Sequence, residues 1–446
     1  MRRANRPAPN AVGSSATSVR RWAYASAIPL VLVTCLQSPG HAADAEVTMV
    51  PVDPPGDRYW PRWRGPSGQG LVDTSAHTYT DTWSPTENVT WRVAVPGRGH
   101  SSPIVWEDRI FLTTAYDDGR RRSLLAFSRS DGRMLWETAL PPATAEAMYP
   151  KNSHASGTPS TDGKLVYAYF GNHGLVAIDF EGRLIWRRSF GDVPTRHGSA
   201  GSPLLYRDRV VLYQDHTGPA GSFIAAFDKT TGDVRWRTSR RETVGWGTPV
   251  AIRVGDRDEI VVSGERRVYA YDPDTGAELW SCAGNMPEAV PTPVTAGGLL
   301  FCSTGRAGPT LAIRPGGRGD VTAERVTWQT AKGSPFIPSP LAYQGRLYMV
   351  NDMVSVASCH RAADGELLWQ GRLGEARREG FSASPVALDG KVFFTNDEGE
   401  TFVLRAGDSF EILRVNRLGE RTLASPALVD GNWYFRTEGH LLCISG

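Results

Sequence analysis

The sequence predicts an all-β fold made of eight similar four-stranded units. Three observations carry that prediction. A Ser/Thr-Pro pair recurs along the chain, with its proline at Pro103, Pro159, Pro203, Pro249, Pro293, Pro340, Pro385 and Pro426, at intervals of 41 to 56 residues. A tryptophan stands four residues after a turn glycine in five of the units, at Trp136, Trp186, Trp236, Trp280 and Trp369. Turn formers and aromatics are abundant in the 446 residues, with 47 glycines, 31 prolines and 14 tryptophans, which favours many short strands over long helices.

Each proline opens a similar run, as in "SPIVWEDRIFLTT", "SPLLYRDRVVLYQ" and "SPVALDGKVFFTN". The pattern is a short strand, a tight turn and a second strand of alternating apolar residues. Proline is tolerated at the first strand position because it need not donate a ladder hydrogen bond there. A third strand, a turn and the tryptophan follow, as in "AAFDKTTGDVRW" and "YAYDPDTGAELW". Trp328 is a looser equivalent in the fifth unit, and the seventh offers "AGDSFEIL" instead. Four strands in about 45 residues is the size of one β-propeller blade.

The eighth unit, "SPALVDGNWYFRTEGHLLCISG", stops after three strands. "NVTWRVAVPG" (88–97) has the character of its missing fourth strand, with Trp91 in the docking position. Pairing the two chain ends closes the ring and removes two exposed edges. The prediction is therefore an eight-bladed β-propeller over 88–446. Residues 43–87, including "WPRWRGPSGQG", are expected as an extended segment tied to the outside or to one face. A small residue precedes each turn at a fixed place (Ala126, Ala177, Ala226, Ala270, Cys359 and Cys443), which assigns those two cysteines to packing.

Residues 1–42 read as an export signal behind an N-terminal extension. Arg20 and Arg21 form its basic region, "WAYASAIPLVLVTCLQ" its apolar core, and cleavage is expected near Ala42 or Ala43. The core is too short for a membrane anchor, so the expected location is periplasmic or secreted, with lipid anchoring at Cys35 as the variant. The four later cysteines are too few for a disulfide scaffold in so long a chain. Pairing of Cys282 with Cys302 stays open. With 49 basic and 47 acidic residues, no charge excess points to nucleic acid or an anionic membrane.

In a propeller the first strand of each blade lines the central channel, so residues just before each Ser/Thr-Pro sit at its mouth. The first four blades bring "GRGHS", "KNSHASG", "TRHGSAG" and "TVGWG" there, whereas the other four bring the mostly apolar "EAVP", "PFIP", "GFSA" and "RTLA". The candidate ligand-binding residues are His100, Asn152, His154, Arg196, His197 and Trp246, with His173, Asp215 and His216 on the same face. Arg98 and Lys151 belong to the same neighbourhood. Such a pocket suits a small anionic or aromatic ligand or a peptide end. Clustered histidines also suit a transition metal. The same side chains equally suit bracing of tight loops, whose buried polar groups need partners. No residue is assigned a catalytic role.

The motif A-x-D-x-x-T-G-x-x-x-W, seen best in "AYDPDTGAELW", resembles the tryptophan-docking motif of quinoprotein-type propellers. That group includes dehydrogenases that bind pyrroloquinoline quinone (PQQ) and the BamB-type outer-membrane assembly lipoproteins. The resemblance covers 88–446 and speaks to the fold, because these tryptophans dock blades rather than hold a ligand. The dehydrogenases often carry adjacent cysteines over the cofactor, and bind calcium through a Glu, an Asn and an Asp. This chain has no Cys-Cys pair and no flanking motif that carries those roles over. The resemblance therefore implies a monomeric, non-catalytic binding or scaffolding propeller of the bacterial cell envelope, without a transmembrane domain and without nucleic acid. Its partner would be an envelope protein or a small ligand at the channel mouth. The alternative it implies is a PQQ-dependent alcohol or sugar dehydrogenase with calcium, its cofactor over the channel near His100, His154, His197 and Trp246.

Overall fold

The computed structural model describes residues 46–218, 221–306 and 308–446. The expected export signal and Cys35 lie outside them. The chain forms an eight-bladed β-propeller, each blade an antiparallel four-stranded meander running from the axis outward. Blade one is Ile104–Trp106, Arg109–Tyr116, Arg121–Ser128 and Met134–Ala139. Its innermost strand is wholly buried between neighbouring blades, whereas the strand closing blade eight, Val89–Ala94, alternates half-buried with exposed residues. Blade eight takes three strands from Ala427–Val429, Asn432–Arg436 and His440–Ile444, and its outer strand is Val89–Ala94. The register sets Trp91 opposite Cys443 and Arg92 opposite Leu442.

The repeated tryptophan packs in two directions. Across the ladder it faces a small residue: Trp136 faces Ala126, Trp186 faces Ala177, Trp236 faces Ala226, Trp280 faces Ala270 and Trp369 faces Cys359. A larger side chain there would lift the indole off its own sheet. Toward the next blade, the indole N–H donates to a turn carbonyl, as Trp136 Nε1 does to Phe180 O (2.8 Å) and Trp236 Nε1 to Pro273 O (2.9 Å). The ring also lies against that turn's glycine. A Cβ on Gly276 would meet Trp236 at 2.3 Å, and Gly276 has φ +73°. Gly276→Ala is therefore expected to lower stability by about 1–3 kcal/mol in a denaturation experiment.

Trp280 departs from this pattern. Gly319–Asp320 adds a parallel strand to the outer edge of blade four, opposite Trp280 and Ser281. The covered indole is fully buried and donates to Glu259 Oε2 at 2.7 Å within its own blade. All four described cysteines are buried and unpaired, Cys282 and Cys302 included.

The segment before the closing strand takes a course that the repeat pattern does not encode. Val47–Met49 pairs with the far end of the innermost strand of blade four, Trp60 bridges Val105 of blade one, and Leu71 bridges Ala387 of blade seven. Gln69 Oε1 accepts the Thr295 N–H of blade five at 2.7 Å. Of the two courses expected, the outside or one face, the segment takes the second, and lies against inner strands on the face opposite the mouth. Inner strands leave unpaired backbone groups around the lumen, and this segment satisfies several of them. It leaves the channel between blades seven and eight, where Trp83 packs on Trp433, Phe393 and Phe435.

Candidate functional site

The Ser/Thr of each Ser/Thr-Pro pair has a shared structural task. The backbone N–H of Ser102 donates to Thr158 Oγ1, that of Thr158 to Ser202 Oγ, that of Ser202 to Thr248 Oγ1 and that of Thr248 to Thr292 Oγ1. The chain continues through Ser339, Ser384 and Ser425, and Ser425 N–H returns to Ser102 Oγ. Eight links of 2.9–3.4 Å thereby close a hydrogen-bonded ring around the axis, one per blade. The recurring dipeptide follows from this: the proline starts the inner strand, and the hydroxyl ties it to the preceding blade.

All eight ring residues line a cavity of about 210 Å³ at the channel mouth. Trp63, carried in by the N-terminal segment, lines it as well. The walls include Tyr149, His197, Trp246 and Phe336. His197 stacks on Trp246 with ring centroids 5.6 Å apart and meets Tyr149 edge-on at 5.1 Å. Trp246 Nε1 donates to Gly198 O at 2.7 Å, and Asn152 Nδ2 donates to His197 O at 2.8 Å. These bonds fix the loop that carries His197.

The side expected to be apolar holds a charge network. Arg306 reaches Glu288 Oε2 at 2.9 Å through Nε and Glu379 Oε1 at 2.7 Å through Nη1. Glu288 Oε1 also faces His197 Nε2 at 3.4 Å, and Glu379 accepts from Tyr149 OH at 3.3 Å. Lys151 pairs with Asp397 at 2.9 Å and donates to the Glu379 carbonyl. Val290, Phe336, Ile337 and Leu423 supply the apolar surface between these charges.

The structure brings four of the sequence-derived candidates to the cavity: His100, Asn152, His197 and Trp246. Arg196 stands at its edge, 70% exposed and 3.6 Å from Glu288. The other four turn away from it. His154 Nε2 lies 3.0 Å from Glu146 O, and His173 Nε2 lies 3.1 Å from Arg120 O. His216 Nδ1 accepts the Gly218 N–H at 3.0 Å, and Asp215 is bidentate to Arg240. These four brace loops beside the mouth. Trp63, Glu288, Arg306 and Glu379 were not read from the sequence. Only the unusual Trp, Arg and Gly content of "WPRWRGPSGQG" marked the segment that supplies Trp63.

Burial, with the nearby cations Arg436, Arg98, Arg421 and Lys151, lowers the His100 imidazole to about 3. It is therefore neutral in the folded protein at physiological pH. Unfolded, it takes up a proton near pH 6.5. Between those values the unfolded state binds more protons, so this contribution to stability is present above pH 6.5 and is lost as pH falls toward 3. Asp352, raised to about 6 mainly by burial, works in the opposite direction over the upper part of that window. Comparing the wild type with His100→Gln cancels the Asp352 contribution. The difference in unfolding free energy should change by up to about 1.4 kcal/mol per pH unit below pH 6.5, favouring the variant as pH falls.

A family model described as "Outer membrane protein assembly factor BamB" matches residues 72–218, 120–325 and 220–445. The chain belongs to this BamB family. The overlap of the matched ranges reflects the repeat, since the model fits more than one set of consecutive blades. A BamB from Xanthomonas campestris pv. campestris is 31% identical over 115 residues, covering 26% of this chain and a quarter (25%) of that relative's length. The crystal structure of BamB from Moraxella catarrhalis superposes with a TM-score of 0.57 at 14% identity, covering 80% of this chain and 97% of that one. The quinohemoprotein alcohol dehydrogenase from Comamonas testosteroni superposes with a TM-score of 0.57 at 12% identity, covering 86% and 80%. At these identities both structures speak for the fold alone. Among the described residues, no helix is long and apolar enough to cross a membrane.

Proposed function

We propose that this chain is a non-catalytic binding propeller of the bacterial cell envelope, exported, and that it meets an envelope protein or a small ligand at the channel mouth. One observation carries the reading: both carboxylates that line the cavity, Glu288 and Glu379, are held by Arg306. Neither is free to act as a general base, which must reach the proton it abstracts. The calcium of the PQQ dehydrogenases does not fit this donor set. A hard cation needs several uncommitted oxygen ligands, and here a guanidinium already occupies the space between the two carboxylates. Family membership supports the envelope setting, with BamB relatives named for outer-membrane protein assembly.

Two measurements test this. The first is the melting temperature of the protein with PQQ, with and without calcium. The expected result is no calcium-dependent stabilisation; a saturable, calcium-dependent rise would replace the reading with the dehydrogenase. The second is photocrosslinking in whole envelopes, with the crosslinker at Arg196 on the mouth or at exposed Ser130 on the opposite face. Adducts to an envelope protein are expected from Arg196. Adducts from Ser130 alone would move the binding face and sink the proposal.

A further inference from the structure

The ring residues bring eight hydroxyls to the cavity lining. Each hydroxyl of the ring accepts a backbone N–H, and a hydroxyl that accepts still carries a proton to give. Among the described residues none of the eight donates to a protein acceptor. Glu288 and Glu379 are engaged by Arg306, and Asn152 Oδ1 by Ser153 N and Ser156 Oγ, while the neutral His100 imidazole keeps one acceptor nitrogen. Eight such hydroxyls in a partly closed site suit a ligand group that only accepts.

Charge points the same way. Lys151 and Arg306 face three carboxylates, Asp397, Glu288 and Glu379, and Arg196, 3.6 Å from Glu288, brings the third cation that balances them. Three guanidiniums beside the ring have no carboxylate partner among the described residues, and two of them, Arg64 and Arg436, are buried. Arg62 is half-buried, donates to the carbonyls of Val50, Gly65 and Pro66, and lines a small cavity that shares Ser202, Thr248 and Thr292 with the ring. Arg64 has a single bond, 3.4 Å to Pro385 O beside Ser384, and its Nε and Nη1 are unpartnered. Arg436 bonds Ser101 Oγ and Thr113 O at 2.7 Å beside Ser102, and its Nε is unpartnered. Buried cations without counterions are expensive to hold, and an anion nearby relieves that cost. Trp63, Tyr149, Trp246 and Phe336 give the cavity an aromatic surface beside its charged groups, and its volume of about 210 Å³ exceeds the ~150 Å³ that holds a benzene ring.

We infer that the cavity binds a carboxylate carried on a flat apolar body, with the acid on the hydroxyl ring and the body against Trp63 and Trp246. This rests on the binding reading above and names the chemical class of its ligand. Two sources offer that chemistry: a free aromatic acid, and a polypeptide that ends in an aromatic residue.

The test is calorimetric titration of the full-length protein with 2-naphthoate and with 2-naphthamide, and with a tetrapeptide ending in phenylalanine as its free acid and as its C-terminal amide. Each acid is expected to bind at least about ten-fold more tightly than its amide, because the carboxylate is charged and accepts through both oxygens, where the amide replaces one of them with a donor. The tighter of the two acids identifies the source. Thr248→Val, at the longest link of the ring (3.4 Å), should weaken acid binding while leaving amide binding unchanged, and Thr248→Ser should restore it. If neither acid is favoured over its amide, or if Thr248→Val weakens acid and amide alike, the inference is overturned. The crosslinking result is independent of this outcome, so the binding propeller can stand when the anion site falls, and the reverse.

Discussion

Replacing Asp215 by alanine is expected to destabilise the protein by about 3–5 kcal/mol, the range for removing one partner of a buried ion pair. Asp215 Oδ1 and Oδ2 accept from Arg240 Nε and Nη2 at 2.7 and 3.0 Å, and both side chains are essentially inaccessible. Arg240 also donates to Tyr271 OH at 2.6 Å and lies over the rings of Tyr213 and Tyr269. Without the carboxylate, a guanidinium remains among aromatic rings with no counterion. Urea denaturation should show the loss directly, and the double change Asp215→Leu with Arg240→Met should recover most of it, because no orphaned charge is left. Asp364→Ala, which breaks the exposed pair with Arg361, should stay within about 1 kcal/mol of wild type. A small loss for Asp215→Ala would instead return this residue to the list of ligand-binding candidates.

The second large effect belongs to Trp433. Its indole is fully buried, donates to Thr80 O at 2.9 Å, and packs on Trp83 at 5.1 Å, Phe393 at 4.9 Å and Phe435 at 5.7 Å. It joins blade seven, blade eight and the N-terminal segment at the place where the ring is sealed. Trp433→Ala is expected to cost about 3–5 kcal/mol in unfolding free energy, since the cavity left behind is walled by strands that cannot collapse into it. Limited proteolysis should then cut first within residues 73–87, because Trp433 pins that stretch. Unchanged cleavage there would mean that Asp81, paired with Lys391 and with Arg414 at 2.9 Å, holds the segment on its own.

The architecture was legible because its determinants are local and repeated. A hydroxyl before each proline, a turn glycine and a tryptophan opposite a small residue all recur at fixed spacing, and each proves to be a contact between neighbouring strands or blades. The closing strand was legible for the same reason: Trp91 repeats the outer-strand pattern, and a Cβ on Gly132 of blade one would meet its ring at 2.7 Å. The site was legible only in outline. Spacing gives the face on which a loop lies but not the direction in which its side chains turn. His100 and His197 point into the cavity, while His154 and His173 point back onto loop carbonyls. Trp63 was out of reach because it lies in a segment outside the repeat, placed by tertiary pairing with blades far away in sequence. Glu288 was missed because it opens "EAVP", which reads as mostly apolar, and Glu379 because it sits just before "GFSA".

The pairing of the two chain ends also dictates an order of events during synthesis. Thr90 and its neighbour Ser445 are separated by 355 residues, so the outer strand of blade eight is made long before its partner. Until His440–Ile444 is in place, the ring is an open arc, with blade eight unfinished and Val89–Ala94 unpaired. Loop closure over such a span is slow, and bare edges invite pairing with the wrong chain in the meantime. Without residues 427–444 the chain would hold seven complete blades that still cannot shut.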